Sequence, residues 1–391
     1  TNAGADIGGS DLLDIAQDRS ARRPAAALLF VALAPDSVVG VFSQGSMSEP
    51  GTGPHVWNLA SDSLEFLRNL ASSQEQFFNA TEARHRIGEA ITKQLFPPLG
   101  DGNEEARAAF NALNEFVGRT RQNEKFAEDR PQLFVRMLRS SNEQVPMYPV
   151  SLMNFDGTDE EFLGYWVEIV SPLRHQRYGT TPCPVEWQML IPWDQKDADL
   201  VEASKELDAL IEDSFIPTLR VGSRLIRPFI DIGSFSDFIG PPIASATSTQ
   251  VHPRTFLATV SHHGMNSLQF TSGSPVSAAN FSRPFGQDSI AVLAGCSTGN
   301  PGPGSIVDQL NQANFNSIVV TNTGVSGSLA GAMVRSMVDQ LETAPSEGVA
   351  ISELLRRSQR SLLPRFKEEV LNFIVVGNPD ALVCHPKENK L

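Results

Sequence analysis

The sequence lacks several features that would each assign it to a protein class. Only three of its 391 residues are cysteine, and Cys183, Cys296 and Cys384 form no C-x-x-C pair. That spacing excludes a zinc ribbon and provides no disulfide framework, so we expect a reduced, cytoplasmic protein. The net charge is −14 and no basic patch is evident, which argues against a nucleic-acid surface. No apolar run approaches the roughly 20 residues that a membrane span requires.

Two apolar segments that are present each end on a reactive side chain. Residues 255–264 read TFLATVSHHG, and residues 289–299 read SIAVLAGCSTG. Both are typical of a buried parallel strand. Ligands of open α/β sheets bind outside the carboxyl ends of such strands. We therefore expect an imidazole and a thiol to lie side by side at one edge of a sheet.

Cys296 and His263 are the candidate catalytic residues. Cys296 opens a Gly/Pro-rich loop, STGNPGPG, which favours a nucleophile over a buried structural thiol. His263 would deprotonate this thiol and later protonate the leaving amine. His262 and His263 point to opposite faces of their strand, because successive strand residues alternate. Only one of the two histidines can therefore reach the thiol.

Glycines next to these residues are candidates for an oxyanion site. Backbone N–H groups near Gly264 and Gly295 could bind the oxygen of a tetrahedral intermediate, with the N–H of Cys296 as a second donor. Gly264 would let the chain approach a substrate carbonyl closely. Both glycines also fit ordinary turns, and the sequence leaves these alternatives open.

Strands alternate with helices from about residue 132, which is the signature of an α/β fold. We expect a flexible tail at 1–24, a hairpin (25–45) and helical subdomain at 25–131, and the core at 132–391. The helices of the subdomain are predicted at 59–95 and 103–122. Core strands are predicted at 132–138, 164–170, 186–192, 224–231, 255–261, 289–295, 317–321 and 371–376, and core helices at 198–213, 304–313, 327–342 and 350–362.

Taken together, these blocks resemble the caspase-like cysteine peptidases of clan CD, and within that clan the CHAT domain. ATVSHHG is similar to the family's block that ends in His-Gly, and VLAGCSTG to its block that ends in cysteine. FIVVGNPDAL is similar to the closing strand, whose end carries G-[DN]-P. The likeness spans roughly residues 25–385. The sequence departs from the usual pattern in having two adjacent histidines before Gly264.

The resemblance implies a three-layer α/β sandwich with a mainly parallel central sheet of about six strands. It also implies a cysteine endopeptidase that cleaves a protein substrate through a Cys296–His263 dyad and a thioester, without metal or cofactor. Regulation by a sensor module or partner protein would order the loops at 297–305 and 236–254. Thr1, in place of a methionine, fits a fragment or processed form of such an assembly.

The resemblance further suggests residues of the substrate pocket. Asp194, in PWDQ, stands where relatives place a charged residue that faces the P1 side chain, which implies a basic P1 residue by ion pairing. Asp380, after the last predicted strand, and Ser297, beside the cysteine, are the other candidates. Either carboxylate fits a solvated surface group as well.

Two other functions also fit the sequence. Gly295–Gly299 matches G-x-S-x-G, the nucleophile elbow of serine α/β-hydrolases, with Ser297 as nucleophile and Asp380 and His385 as partners. The run Asn300–Gly304 (NPGPG) opposes this, because an elbow enters a helix at once and such a run breaks helices. The other alternative is a caspase-like scaffold without catalytic activity.

Overall fold

The computed structural model describes the chain from Pro24 to Cys384, apart from several intervening segments. The described residues are 24–34, 37–44, 53–59, 81–97, 103–118, 124–139, 150–154, 162–173, 178–184, 186–190, 197–212, 226–229, 239, 252–264, 267–269, 276–281, 284–296, 298–299 and 305–384. The chain divides into two units, residues 1–174 and 175–391. Nearly all of the predicted tail lies outside the described residues, and the predicted boundary between 131 and 132 stays a prediction.

The first unit, residues 1–174, contains a sheet built on the predicted hairpin. Its strands are β1 (Ala25–Ala34), β2 (Ser37–Gln44), β3 (His55–Leu59), β4 (Gln132–Arg139) and β5 (Glu168–Ser171). They follow the order β3–β2–β1–β4–β5. β1 pairs antiparallel with β2, with Leu29 opposite Val41, which confirms the predicted hairpin. On its other side β1 runs parallel to β4, which runs parallel to β5.

Helices of the first unit pack through aromatic side chains. They are α1 (Thr81–Leu95), α2 (Glu104–Gly118) and the one-turn α3 (Leu163–Trp166). Trp57 of β3 stacks on Phe96, with ring centroids 5.0 Å apart. Its Nε1 donates to the carbonyl oxygen of Leu95 at 2.8 Å. The indole thus satisfies one of the unpaired carbonyls at the end of α1 and fixes that end against the strand.

The second unit, residues 175–391, contains the central sheet that carries the candidate site. Its strands are β6 (Glu186–Leu190), β7 (Ile226–Phe229), β8 (Thr255–Val260), β9 (His262–Gly264), β10 (Ser267–Gln269), β11 (Val276–Ser277), β12 (Ser289–Ala294), β13 (Phe315–Thr321), β14 (Val349–Ala350), β15 (Phe373–Gly377) and β16 (Leu382–Val383). Six of them form the order β15–β13–β12–β8–β6–β7. β13, β12, β8, β6 and β7 are parallel, and β15 is antiparallel to β13.

Burial explains why the central strands are continuous apolar runs. Every residue of β8 and of β12 is buried, so neither strand has a solvent face to fill with polar side chains. Parallel sheets are covered on both faces, which selects such sequences. The predicted strands at 255–261 and 289–295 are confirmed.

Two of the four helices described in the second unit begin at a serine cap. The four are α4 (Ala198–Glu212), α5 (Ile306–Gln312), α6 (Gly327–Glu342) and α7 (Ile351–Phe366). The hydroxyl groups of Ser305 and Ser326 cap α5 and α6 by accepting from the third N–H beyond them. α6 lies so close to α4 that a Cβ on Gly327 would stand 1.9 Å from the carbonyl oxygen of Asp199. Glycine is therefore required at the first position of α6. No helix among the described residues is long and apolar enough to cross a membrane.

Two predicted elements are wrong in detail, for different reasons. The strand predicted at 164–170 begins instead as the helical turn α3 and becomes extended only in β5. In that turn Phe162 and Tyr165, three residues apart, bring their ring centroids within 6.0 Å, a contact that an extended chain would not allow. The helix predicted at 59–95 is wrong at its first residue, because Leu59 ends β3, a strand that the sequence pattern did not predict; the helix itself is described from Thr81 onward.

The expectation that the cysteines provide no disulfide is also wrong. Cys183 and Cys384 form a disulfide, with their Cα atoms 5.5 Å apart, within the range that a disulfide spans. Asn378 ties the same two segments together, since its Oδ1 accepts from the N–H of Gly179 and its Nδ2 donates to the carbonyl of Gly179. Sequence spacing could not predict this pair, because 201 positions separate its members.

Candidate active site

The two reactive segments leave the central sheet side by side. β8 and β12 are adjacent and parallel, with Val260 opposite Ala294. The pairing continues one residue further, where the N–H of Ser261 donates to the carbonyl of Ala294 at 3.2 Å. His263 follows Ser261 by two positions and Cys296 follows Ala294 by two, on strands about 4.8 Å apart. The topology therefore carries both segments to the same edge of the sheet.

Cys296 lies in the turn that follows β12; it is half-buried and takes no part in the disulfide. Its Sγ lies 3.6 Å from the carbonyl oxygen of Val325, to which the thiol donates. A Cβ placed on Gly324 would lie 3.8 Å from Sγ, so the loop after β13 passes directly beside the thiol. Cys296 is thus at a loop-lined edge and outside the packed interior of the sheet, as the sequence predicted.

Two buried threonines form hydrogen bonds that hold the turn carrying Cys296 against the neighbouring strand. The hydroxyl of Thr321, at the end of β13, donates to the carbonyl oxygen of Gly295. The backbone N–H of Thr321 donates to Oγ1 of Thr298 at 2.7 Å, and the Thr298 hydroxyl donates to the carbonyl of Leu293 at 3.1 Å. These hydrogen bonds join the residues on both sides of Cys296 to the neighbouring strand. Sequence reasoning missed both threonines, because their partners are backbone groups brought together only by strand pairing.

His263 lies in the middle of β9, a short strand that continues β8 beyond the central sheet. β9 pairs antiparallel with β10, with His263 opposite Leu268 and Gly264 opposite Ser267. The backbone of this segment is described, and the His263 side chain lies outside the description. β9 is extended, and the direction in which the His263 imidazole points stays a prediction.

His262 contacts Asp197, a residue that the sequence analysis did not single out. Nε2 of His262 lies 2.9 Å from Oδ2 of Asp197. The other carboxylate oxygen accepts from the N–H groups of Asp199 and Leu200 at 3.1 and 3.2 Å and thereby caps the start of α4. Burial raises the pKa of Asp197, but the hydrogen bonds from His262 and Leu200 outweigh burial and bring the pKa below its ordinary value. The carboxyl group is therefore ionised at neutral pH.

Three side chains at this place could together hold a metal ion. Asp197, Asp199 and His262 each offer one ligand atom, and these atoms lie within 4.8 Å of one another. Asp199 is exposed, and the side chains of Asp197 and His262 are about one-third exposed, with Oδ2 and Nε2 2.9 Å apart. Carboxylate and imidazole ligands suit a divalent ion such as Zn²⁺.

The remaining predicted site residues fall elsewhere or outside the description. Asp380 follows β15, whose last residue, Gly377, lies opposite Ser317 near the start of β13. That is the edge of the sheet opposite Cys296, so the structure does not bring Asp380 to the thiol. Asp194 and Ser297 lie outside the described residues, as do His385 and most of the predicted regulatory loops.

Comparison with known proteins finds no match to a family model and none to a curated protein sequence. Similarity appears only among solved structures, at identities of 7–10%. The Arg-specific cysteine proteinase gingipain R aligns over 78% of this chain and 76% of its own, with a TM-score of 0.44 and 10% identity.

Two structures of the Saccharomyces cerevisiae separase–securin complex align over nearly the whole of this chain. They cover 96% and 95% of it at 7% identity, with TM-scores of 0.48 and 0.51. This chain spans 31% of the separase chain. The TM-score of 0.51 and the strand order described above support a conclusion about the fold. The predicted fold class, a caspase-like α/β sandwich with a mainly parallel central sheet and an additional hairpin, is confirmed.

Proposed function

We propose that this protein is a cysteine endopeptidase that uses a Cys296–His263 dyad. The observation that carries the proposal is the position of the Cys296 thiol, which is outside the disulfide, at the carboxyl end of β12 and beside the strand that continues into His263. A half-buried thiol at a loop-lined strand end is accessible to a peptide, and a buried core cysteine is not. The caspase-like fold supports this reading of the site.

The proposed reaction proceeds through an acyl-enzyme. His263 takes the proton of the Cys296 thiol, and the sulfur attacks the carbonyl carbon of the scissile peptide bond. The resulting oxyanion accepts hydrogen bonds from backbone N–H groups at Gly264 and Cys296. Collapse of this intermediate breaks the C–N bond, and the amine leaves with the proton held by His263. Water, deprotonated by His263, then attacks the thioester, which releases the carboxylic acid and restores the thiol.

The substrate and its control extend the same proposal. We assign a protein substrate with a basic P1 residue that pairs with Asp194, and regulation by a sensor module or partner protein, as in CHAT peptidases. The disulfide of Cys183 with Cys384 opposes the cytoplasmic location expected from the sequence, since stable disulfides are rare in the cytosol. Asp380 is left out of the pocket, because it lies at the opposite edge of the sheet from Cys296.

The test is cleavage of a mixed fluorogenic peptide library by the wild-type protein and by two variants. We expect Cys296→Ala to lower kcat/KM by roughly 10³-fold or more, since the nucleophile is removed, and Ser297→Ala to leave it within a few-fold. A thiol-directed peptide probe should label the wild type and not Cys296→Ala. Preference for Arg or Lys at P1 should disappear in Asp194→Asn if the pocket is assigned correctly.

Each of the other outcomes identifies a different protein. Activity lost with Ser297→Ala alone would contradict the cysteine dyad and identify a serine hydrolase. A wild-type protein that neither cleaves the library nor reacts with the probe, alone or with added partner fractions, would contradict any peptidase and identify a scaffold. Labelling of Cys296 without cleavage would identify a peptidase whose activator is missing from the assay.

A further inference from the structure

We propose that Asp197 is a positioning residue: by holding His262, it sets the orientation of β9 so that His263 faces Cys296. The inference rests on the proposed function and adds a residue that the dyad requires. His262 and His263 are adjacent in the sequence, so there are two candidate bases for the Cys296 thiol. A strand can turn only one of them toward a given side, so whatever holds His262 decides where His263 points.

The carboxylate of Asp197 is suited to this task because it is itself immobilised. Oδ1 accepts from the backbone N–H groups of Asp199 and Leu200, so the side chain belongs to the first turn of α4. Oδ2 remains for His262, whose Nε2 lies 2.9 Å away. The backbone carbonyl of Asp197 also accepts from the N–H of Val201 at 2.9 Å. Oδ1 is thus hydrogen-bonded to backbone and Oδ2 is at ion-pair distance from His262, so the carboxylate has a contact on each oxygen.

The helix that carries Asp197 is in turn joined to the loop beside the thiol. The carbonyl oxygen of Asp199 packs against Gly327, the first residue of α6. Two positions before Gly327 is Val325, whose carbonyl oxygen accepts from Sγ of Cys296 at 3.6 Å. Glu369 holds this same junction, since its Oε1 accepts from the N–H of Ser326 at 2.5 Å.

These contacts form a continuous path from one candidate catalytic segment to the other. It runs from Cys296 to Val325, through the contact of Gly327 with Asp199, and through Asp197 to His262. The path consists of hydrogen bonds, one close contact with backbone, short segments of chain and the approach of Asp197 to His262, and it links β9 to the turn that carries Cys296. A displacement of about 1 Å between a base and a nucleophile can lower the rate about 100-fold.

The choice of variants separates positioning from folding. Asp197→Asn keeps an oxygen that can cap α4 and removes the charge that holds His262. His262→Leu removes the imidazole, and His262→Gln keeps an N–H donor that can reach Asp197. Glu202→Gln is the matched control, because it changes an exposed carboxylate of the same helix that lies outside the cluster of Asp197, Asp199 and His262.

The experiment measures kcat and KM for a peptide substrate, with each rate divided by the concentration of thiols that a peptide probe titrates. We expect Asp197→Asn and His262→Leu to lower kcat about 10- to 100-fold with KM changed less than about three-fold. His262→Gln should recover most of the kcat lost in His262→Leu, and Glu202→Gln should match the wild type. The double variant Asp197→Asn/His262→Leu should lose no more than the worse single variant, because both remove one interaction.

Several results would overturn the inference while leaving the dyad intact. Equal kcat per titrated thiol in wild type and Asp197→Asn would show that Asp197 contributes only to folding. Additive losses in the double variant would show that the two residues act separately. A wild type that chelating agents reduce to the kcat of Asp197→Asn would show that the three side chains act through a bound cation. If Cys296→Ala is as active as the wild type, the proposed function itself fails first.

Discussion

The contribution of an ion pair to the stability of this protein depends on how exposed its two side chains are to water. Glu353, near the start of α7, is the partner of two arginines: its Oε1 and Oε2 accept from Arg356, and Oε1 also accepts from Arg357 at 2.7 Å. The side chain of Arg356 is 7% exposed, so if the carboxylate of Glu353 were removed, little water could reach the guanidinium in its place. By contrast, the pair of Lys93 with Glu89 on α1 is exposed on both sides. We expect only the first pair to matter for stability.

Replacement of Glu353 by glutamine should therefore lower the free energy of unfolding at neutral pH by about 3 kcal/mol. Burial raises the pKa of Glu353, but hydrogen bonds from Arg356 and Arg357 outweigh burial and place the pKa below its ordinary value of 4.5. A carboxyl group with a lowered folded-state pKa stabilises the protein above its unfolded-state value, and this contribution is lost as the pH falls through the folded-state pKa.

The measurement is urea unfolding of wild type and Glu353→Gln across the acidic range down to the lowest pH at which the wild type stays folded. The difference in unfolding free energy between wild type and Glu353→Gln should be largest at neutral pH and should decrease as the pH falls. Glu89→Gln is the control and should change stability by less than about 0.5 kcal/mol. A difference for Glu353→Gln that does not change with pH would contradict an ionised, paired carboxylate.

At the scale of the elements, the contact of α4 with α6 decides the geometry around the candidate site. A Cβ on Gly331 would lie 2.5 Å from the carbonyl oxygen of Ala203, one turn beyond the contact of Gly327 with Asp199. Glycines at 327 and 331, four residues apart, therefore form one stripe of α6 on which the backbone of α4 rests. Because α6 starts two residues after Val325, its packing also sets the loop beside Cys296.

Gly327→Ala should separate the two helices and displace that loop. Its Cβ would meet backbone at 1.9 Å, which cannot move aside as a flexible side chain would. We expect a loss of about 1–3 kcal/mol in stability and a lower kcat in the peptide assay. The control is Gly118→Ala at the end of α2, where a Cβ meets nothing within 4 Å. That change should be neutral or stabilising by up to about 1 kcal/mol; equal effects at the two positions would contradict the close contact.

Periodicity predicted the long elements because each follows from local burial. The helix predicted at 327–342 agrees with the bounds of α6, and the helix predicted at 198–213 agrees with α4 to within one residue. Short elements were missed or misread: β3 has five residues, and the pair of β9 with β10 is joined by residues 265–266. A strand of so few residues has too little alternation to be recognised, and its pairing partner, found only on folding, determines its conformation.

At the scale of the whole molecule, a disulfide joins two segments of the second unit that lie far apart in the sequence. The disulfide of Cys183 with Cys384 joins the segment before β6 to the segment after β15. It lies at the edge where β6 and β8 begin, since the carbonyl of Cys183 accepts from Arg254, which precedes β8. Cys296 lies at the edge where β12 ends. We therefore expect the disulfide to act on stability and not on catalysis.

Reduction, or the double variant Cys183→Ser/Cys384→Ser, should lower the free energy of unfolding by about 2–4 kcal/mol and leave kcat unchanged below the unfolding temperature. Thiol titration of the unreduced, unfolded chain should find Cys296 alone among the three cysteines. The double variant is its own control, because a reducing agent should not lower its stability further. A third thiol in protein isolated under trapping conditions would contradict the pairing and support a cytoplasmic location.

The sequence by itself determined the central architecture and which edge of the sheet the two candidate catalytic segments reach. Buried parallel strands require long apolar runs, and those runs end where the chain leaves the sheet, so the apolar pattern predicts that Cys296 and His263 lie at one edge. Only the tertiary structure decided what surrounds them: the hydrogen bonds of Thr321 and Thr298 around the Cys296 turn, the contact of Asp197 with His262, and the disulfide. Each of these joins residues far apart in the chain, and hydrogen bonding or sulfur pairing depends on distance in space, which residue patterns do not encode.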